Sequence, residues 1–315
     1  MKIVILYEKT EKKISEAAAH IIESHECDVV YRQADTIWED STCPPTSLLQ
    51  DASHILFVFA KNTSTLNSAF IFFLGLGIGR NLPILTLGQG TVLPLPKNCM
   101  QFAVPLALDI FEEYFIKEQQ NFLMVERKRL AREKLLNSGF PCFESNFAAA
   151  VQEGKYEIVR LFLEAGFDAS QRDTRGTPLL SLAVRNSQYD IASLLLTHGA
   201  EINLCSEDRS YSALMEAAQL GDLKTARLLL SKDADTDIQS KDGQTALILA
   251  VGRQDVPMVK LLVEHHADYN IADVLGMSAL GYAKLFHNKD ILEAMQQPEL
   301  GSDTILSFLV TTKTV

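Results

Sequence analysis

Long apolar runs are missing from this chain. The longest spans residues 69–79, eleven positions, against the ~20 that a membrane-crossing helix needs, so no membrane insertion is expected. After Lys2 only five apolar residues precede Glu8 and the charged stretch to Lys13. That is short of the ~7–15 of a secretory leader. Cysteine is scarce, and Cys27, Cys43, Cys99, Cys142 and Cys205 are odd in number, scattered and never in a C-x-x-C pair. They read as reduced thiols of a cytoplasmic protein, not as a disulfide frame or a zinc site, and no metal or cofactor is expected. An excess of positive charge is also lacking. The net charge is −11, which disfavours nucleic acid as a partner.

What is present is an ordinary globular composition, 47% apolar and 22% charged, in a length that exceeds one domain of ~150 residues. The charge divides unevenly. Residues 1–137 carry 14 Lys and Arg against 16 Asp and Glu, whereas residues 138–315 carry 15 against 24. Two units of different character are implied.

The second unit repeats. Ser145, Pro178, Ser212, Thr245 and Ser278 open equivalent helices at spacings of 33, 34, 33 and 33. Ala150, Ala183, Ala217, Ala250 and Ala283 follow five positions on, small enough for a neighbouring helix to approach. Gly166, Gly199, Asp233 and His266 fall twenty-one positions on, where a helix C-terminus favours a residue tolerant of left-handed φ. Between opener and terminus runs a second helix with apolar residues at helical spacing, such as Ile191, Leu194, Leu195 and Leu196.

These units resemble ankyrin repeats. The period matches the ~33 residues of that family, and its T-P-L-H-x-A signature survives in altered form. It reads Pro178-Leu179-Leu180-Ser181-Leu182-Ala183, Ser212-Ala213-Leu214-Met215-Glu216-Ala217, Thr245-Ala246-Leu247-Ile248-Leu249-Ala250 and Ser278-Ala279-Leu280-Gly281-Tyr282-Ala283. The signature histidine is absent, replaced by Ala148, Ser181, Met215, Ile248 and Gly281. The resemblance implies an all-α solenoid of five repeats over residues 145–297, with a linker at 138–144 and a tail at 298–315. It also implies that another protein binds in the groove of finger tips and first helices.

Carried over by position, the tips are Thr174, Arg175, Asp208, Arg209, Tyr211, Lys241, Asp242 and Gln244, and the first helices offer Gln152, Glu153, Arg185, Asn186, Gln219, Leu220 and Arg253. Tyr211, Arg209, Arg185 and Arg253 are the preferred hot spots on residue type. In the last unit the same positions turn apolar, as Val274, Leu275, Met277, Leu285 and Phe286. Either they form an exposed apolar binding patch, or the tail, with Ile305, Leu306, Phe308, Leu309 and Val310, covers them; the tail is expected to fold back as their cap.

The first unit, residues 1–137, alternates strand and helix. Strands are predicted at 2–7, 28–32, 54–60, 83–87 and 100–104, and helices at 11–25, 66–80 and 106–137. These describe an α/β doubly wound parallel sheet, flavodoxin-like in type, with ligands expected in the loops after Tyr7, Arg32 and Ala60. This half resembles the Toll-receptor-like (TIR) and nucleoside-deoxyribosyltransferase group. The likeness rests on Tyr7-Glu8-Lys9 after the first strand, and on a block from Asn62-Thr63-Ser64-Thr65 through a buried helix to Arg80-Asn81-Leu82-Pro83.

Active members of that group carry Glu-Leu-Gly in the buried helix; Phe73-Leu74-Gly75 stands here. The resemblance therefore implies a fold without its catalytic acid, serving docking or self-association, and not an enzyme. The alternative is an N-glycosyl hydrolase or transferase acting on NAD or a nucleoside, with the array as sensor or adaptor. Glu8, Asp35, Glu39 and Asp40 could substitute for the acid but read as solvated loop residues. Gly75, Gly77 and Gly79 lack phosphate-loop spacing and are expected to pack against the sheet. His265-His266 and the basic run at 127–134 read as solvated surface.

Overall fold

A computed structural model describes residues 1–37, 45–59, 68–88, 101 and 103–296. The chain forms two compact units, Met1–Glu126 and Arg127–Val315.

Among the described residues of the first unit five strands, β1 (Lys2–Tyr7), β2 (Asp28–Gln33), β3 (His54–Phe59), β4 (Ile84–Gly88) and β5 (Ala103–Leu106), form one parallel sheet in the order β2-β1-β3-β4-β5. Side chains alternate across the sheet, so each strand feeds two cores. Val4, Leu6, Ile55, Phe57 and Phe59 pack on α2 (Ser68–Gly79) through Phe70, Phe73 and Leu74. Ile3, Ile5, Leu56 and Val58 pack on α1 (Lys12–Ser24) through Ala18, Ala19 and Ile22, and on α3 (Leu108–Asn137) through Phe111 and Phe115. Burial on both faces is why β3 reads as an unbroken apolar run.

Only one of the three helix glycines is explained by close packing. A Cβ on Gly77 would lie 2.8 Å from Ile55 Cδ1, whereas Gly75 and Gly79 face open space. The fifth strand begins three residues later and ends two later than the predicted 100–104.

Among its described residues the second unit stacks five helix pairs: α4 and α5 (Glu144–Gln152, Tyr156–Glu164), α6 and α7 (Leu179–Arg185, Tyr189–Thr197), α8 and α9 (Ala213–Leu220, Leu223–Leu230), α10 and α11 (Ala246–Gly252, Val256–Glu264), and α12 and α13 (Ala279–Leu285, Lys289–Gln296). One apolar core runs through all of them. The five in-register alanines are fully buried, as their small size suggested.

Ser212, Thr245 and Ser278 cap their helices by accepting the third N–H, and Asp222 and Asp255 do the same for the second helices. This satisfies orphan donors of each short helix. Gly166 and Gly199 adopt φ 92° and 84°, and Asp233 and His266 are held at 60° and 63° in the same place. The C-terminal part of α3 also belongs to this unit, since Ala131 and Leu135 are buried in the array's core.

Candidate functional site

The face that offers side chains to a partner is built by the loop fingers between repeats and the first helix of each pair. Every finger is tied by one short polar side chain. Asp173 Oδ1 accepts the N–H groups of Arg175 and Thr177, and Ser206 Oγ accepts that of Tyr211. Ser240 Oγ accepts those of Asp242 and Gln244, and Asp273 Oδ1 those of Leu275 and Met277. Such local bonds are why Asp and Ser favour tight turns. Gly176, Gly243 and Gly276 complete them at φ 74–75°.

The fingers are also joined to one another. The N–H of Glu207 donates to Gly176 O at 3.1 Å, that of Lys241 to Arg209 O at 3.0 Å, and that of Val274 to Asp242 O at 3.0 Å. The tips thus form a continuous, backbone-fixed row.

Along this row Thr174, Arg175, Asp208, Arg209, Lys241 and Asp242 are exposed, and Gln244 is half-buried. On the first helices Asn186, Gln219, Leu220 and Arg253 are exposed and Arg185 is half-buried.

Tyr211 is a correction to the expected exposed tip residue, because it is only 6% exposed. It directly precedes the cap Ser212, so it lies at the finger's base and not at its tip. The Arg209 guanidinium lies 4.2 Å from its ring centroid, and its hydroxyl donates to Gln244 Oε1 at 3.4 Å. Burial raises its phenol above the ordinary value.

Sequence reasoning missed Glu216. Its side chain is 3% exposed, and its Oε1 accepts from Arg185 Nη2 at 2.6 Å and Nε at 3.2 Å, and from Arg209 Nη2 at 3.3 Å. Burial alone would lower the Arg185 guanidinium, but the Glu216 carboxylate outweighs it and raises its pKa. The Ser206 hydroxyl, more than the two nearby arginines, holds the Asp208 carboxyl below its usual range. Arg185, Glu216, Arg209, Tyr211 and Gln244 therefore form one chain of contacts across three repeats. Ser181, in the signature-histidine position, is buried with its hydroxyl unpartnered.

In the first unit Phe73 is fully buried, edge-on to Phe72 at 5.3 Å. Its position points into the core beneath the sheet. Glu8 follows β1, and its N–H donates to Val58 O. The Asp35 side chain, Glu39, Asp40 and residues 60–67 lie outside the described residues, as do those from 297 onward. Among the described residues no helix is long and apolar enough to cross a membrane.

A family model described as ankyrin repeats (3 copies) matches residues 146–240 and again 214–304. This chain belongs to the ankyrin-repeat family. A protein of Treponema pallidum (strain Nichols) named as ankyrin repeat-containing is 42% identical over 290 residues, which cover 91% of this chain and 97% of that protein. The neurogenic locus notch homolog protein 1 of Homo sapiens is 35% identical over 123 residues, and that of Danio rerio 31% over 150. Those stretches cover 38% and 47% of this chain but only 5% and 6% of the notch proteins. The similarity to the Treponema protein thus takes in both units of this ankyrin-repeat protein.

Proposed function

We propose that the ankyrin array holds a partner protein on the row of fingers and first helices in repeats two to four. The observation that carries this reading is the bonded row of finger tips. Arg175, Asp208, Arg209, Lys241 and Asp242 project from backbone already fixed by turn and ladder bonds, so little ordering entropy is lost on binding. Arg185 and Arg209 are further held by Glu216, which leaves other guanidinium donors for a partner.

The α/β unit is read as a second docking or self-association surface, related in type to TIR domains. The strand order β2-β1-β3-β4-β5 supports a flavodoxin-like arrangement. The burial of Phe73 supports a role without glycosyl chemistry at that helix.

The test is affinity capture with the full chain, comparing it with an Arg175→Glu, Lys241→Glu, Arg253→Glu variant. All three side chains are exposed, so the fold should be spared. Loss of the partner with unchanged thermal unfolding supports the reading, and capture of the same partners at equal yield rejects it.

A further inference from the structure

The second helices of the repeats are no part of the finger row, and two of them open on a ring. Tyr156 is the first residue of α5 and Tyr189 the first of α7, 33 positions apart and equivalent in the array. On the later ring the chain places a cation of its own. Lys224, the second residue of α9, holds its Nζ 3.6 Å from the centroid of Tyr189. An ammonium so placed is attracted by the electron-rich ring face.

One repeat earlier the same position carries the opposite charge. The second residue of α7 is Asp190, which stands to Tyr156 as Lys224 stands to Tyr189. Ser193, further along α7, likewise stands where α9 has Arg227. Tyr156 and Asp190, with Ser193, Leu194 and Thr197, line a depression of about 360 Å³ that opens to solvent.

The place over the first ring is vacant. Tyr156 is 40% exposed, and Asp190 is exposed as well. Among the described residues no cation lies over the Tyr156 ring, and Asp190 forms no ion pair. The basic side chains that flank Tyr156 in sequence are committed elsewhere. Lys155 pairs with Glu153 and sits over Phe140, and Arg160 is bound by Glu157 and Glu164.

We infer that this depression receives the ammonium group of a lysine side chain from a partner protein. The ammonium lies on the Tyr156 ring, as Lys224 lies on Tyr189, and the Asp190 carboxylate supplies the counter-charge. A net charge of −11 favours the approach of a basic segment. One ring and one exposed carboxylate hold a lone ammonium weakly, so the lysine arrives as part of a larger contact. The site is built from α5 and α7 alone and does not depend on the finger row.

Nuclear magnetic resonance of the full chain with isotope-labelled tyrosine rings tests this, the Tyr156 signal being assigned with Tyr156→Phe. The probe is Nα-acetyl-lysine methylamide, titrated at constant ionic strength, and its control is the same molecule acetylated on the side-chain nitrogen. The Tyr156 signal should move with the probe and stay still with the control, while Tyr189, already covered by Lys224, should not respond. Asp190→Asn should reduce the slope of the Tyr156 shift about three- to fivefold. Asp190→Lys, which copies the arrangement of the next repeat, should abolish it. Both changes fall on an exposed side chain, and the other tyrosine signals report whether the fold is kept. Equal movement with probe and control, an undiminished slope in Asp190→Lys, or the same response at Tyr31 as at Tyr156 overturns the proposal. Partner capture through the finger row is a separate readout, so either reading can fail alone.

Discussion

Glu216 and Arg185, 31 residues apart and on the first helices of adjacent repeats, meet at 2.6 Å with the carboxylate almost wholly shielded from water. Removing one partner of a buried pair leaves the other uncompensated, which costs more than the pair contributes. Arg185 and Arg209 are 30% and 48% exposed, so they regain water when Glu216 goes. Glu216→Ala should therefore cost about 2 kcal/mol, below the usual range for a buried pair. Arg209→Ala should cost about 1 kcal/mol or less, because Arg185 keeps the carboxylate paired. Urea unfolding of both variants measures the difference, and equal losses would refute this ordering.

Asp273 gives the last finger an acid-sensitive joint. Burial alone would raise its carboxyl, but bonds from the Tyr282 hydroxyl at 2.7 Å and from the Met277 and Leu275 N–H groups hold it below the ordinary value. A folded-state value below the unfolded one gives stability that is present above the unfolded pKa and lost as pH falls through the folded one. Asp273→Ala should thus cost about 1–2 kcal/mol at neutral pH. Its deficit relative to the parent should shrink below about pH 4. Unfolding curves at pH 7 and pH 3 check both statements.

His266 sits at φ 63° where Gly166 and Gly199 sit at 92° and 84°. A side chain there crowds the following carbonyl, so His266→Gly should stabilise the array by about 0.5–1 kcal/mol despite the added freedom of the unfolded chain. His265→Gly, at φ −99°, should give no such gain. Thermal unfolding of the two variants separates conformational relief from any effect of losing an imidazole.

Gly75 and Gly77 differ by the space around them. Gly75→Ala should gain about 1 kcal/mol from helix propensity. Gly77→Ala meets Ile55 and Ile84 in a packed core, and overpacking should cancel that gain and cost about 1 kcal/mol or more. Denaturant midpoints that rose equally in both variants would show that the helix–sheet contact yields freely.

The array was legible because its period places the same residue type in the same environment. The alanines at 150, 183, 217, 250 and 283 are all fully buried, and the capping Ser and Thr residues recur with them. Glu216 was not legible because its partners are on other elements, one of them in the preceding repeat, and only stacking brings Arg185 to it. Tyr211 misled because residue type suggested a hot spot. Its counterpart Thr177, also one position before a helix opener, is likewise buried at 1% exposed, which only the folded repeat reveals. In the α/β unit the doubly buried strands announced themselves, whereas the place where β5 begins did not, since Ala103 follows a stretch without clear periodicity.

The thirty-residue helix α3 leaves no clean place to cut the protein in two. An excised array starting at residue 138 would forfeit Ala131 and Leu135 and bare the greasy flank they cover, so it should precipitate. A piece starting at Arg127 keeps its own lid and should remain in solution.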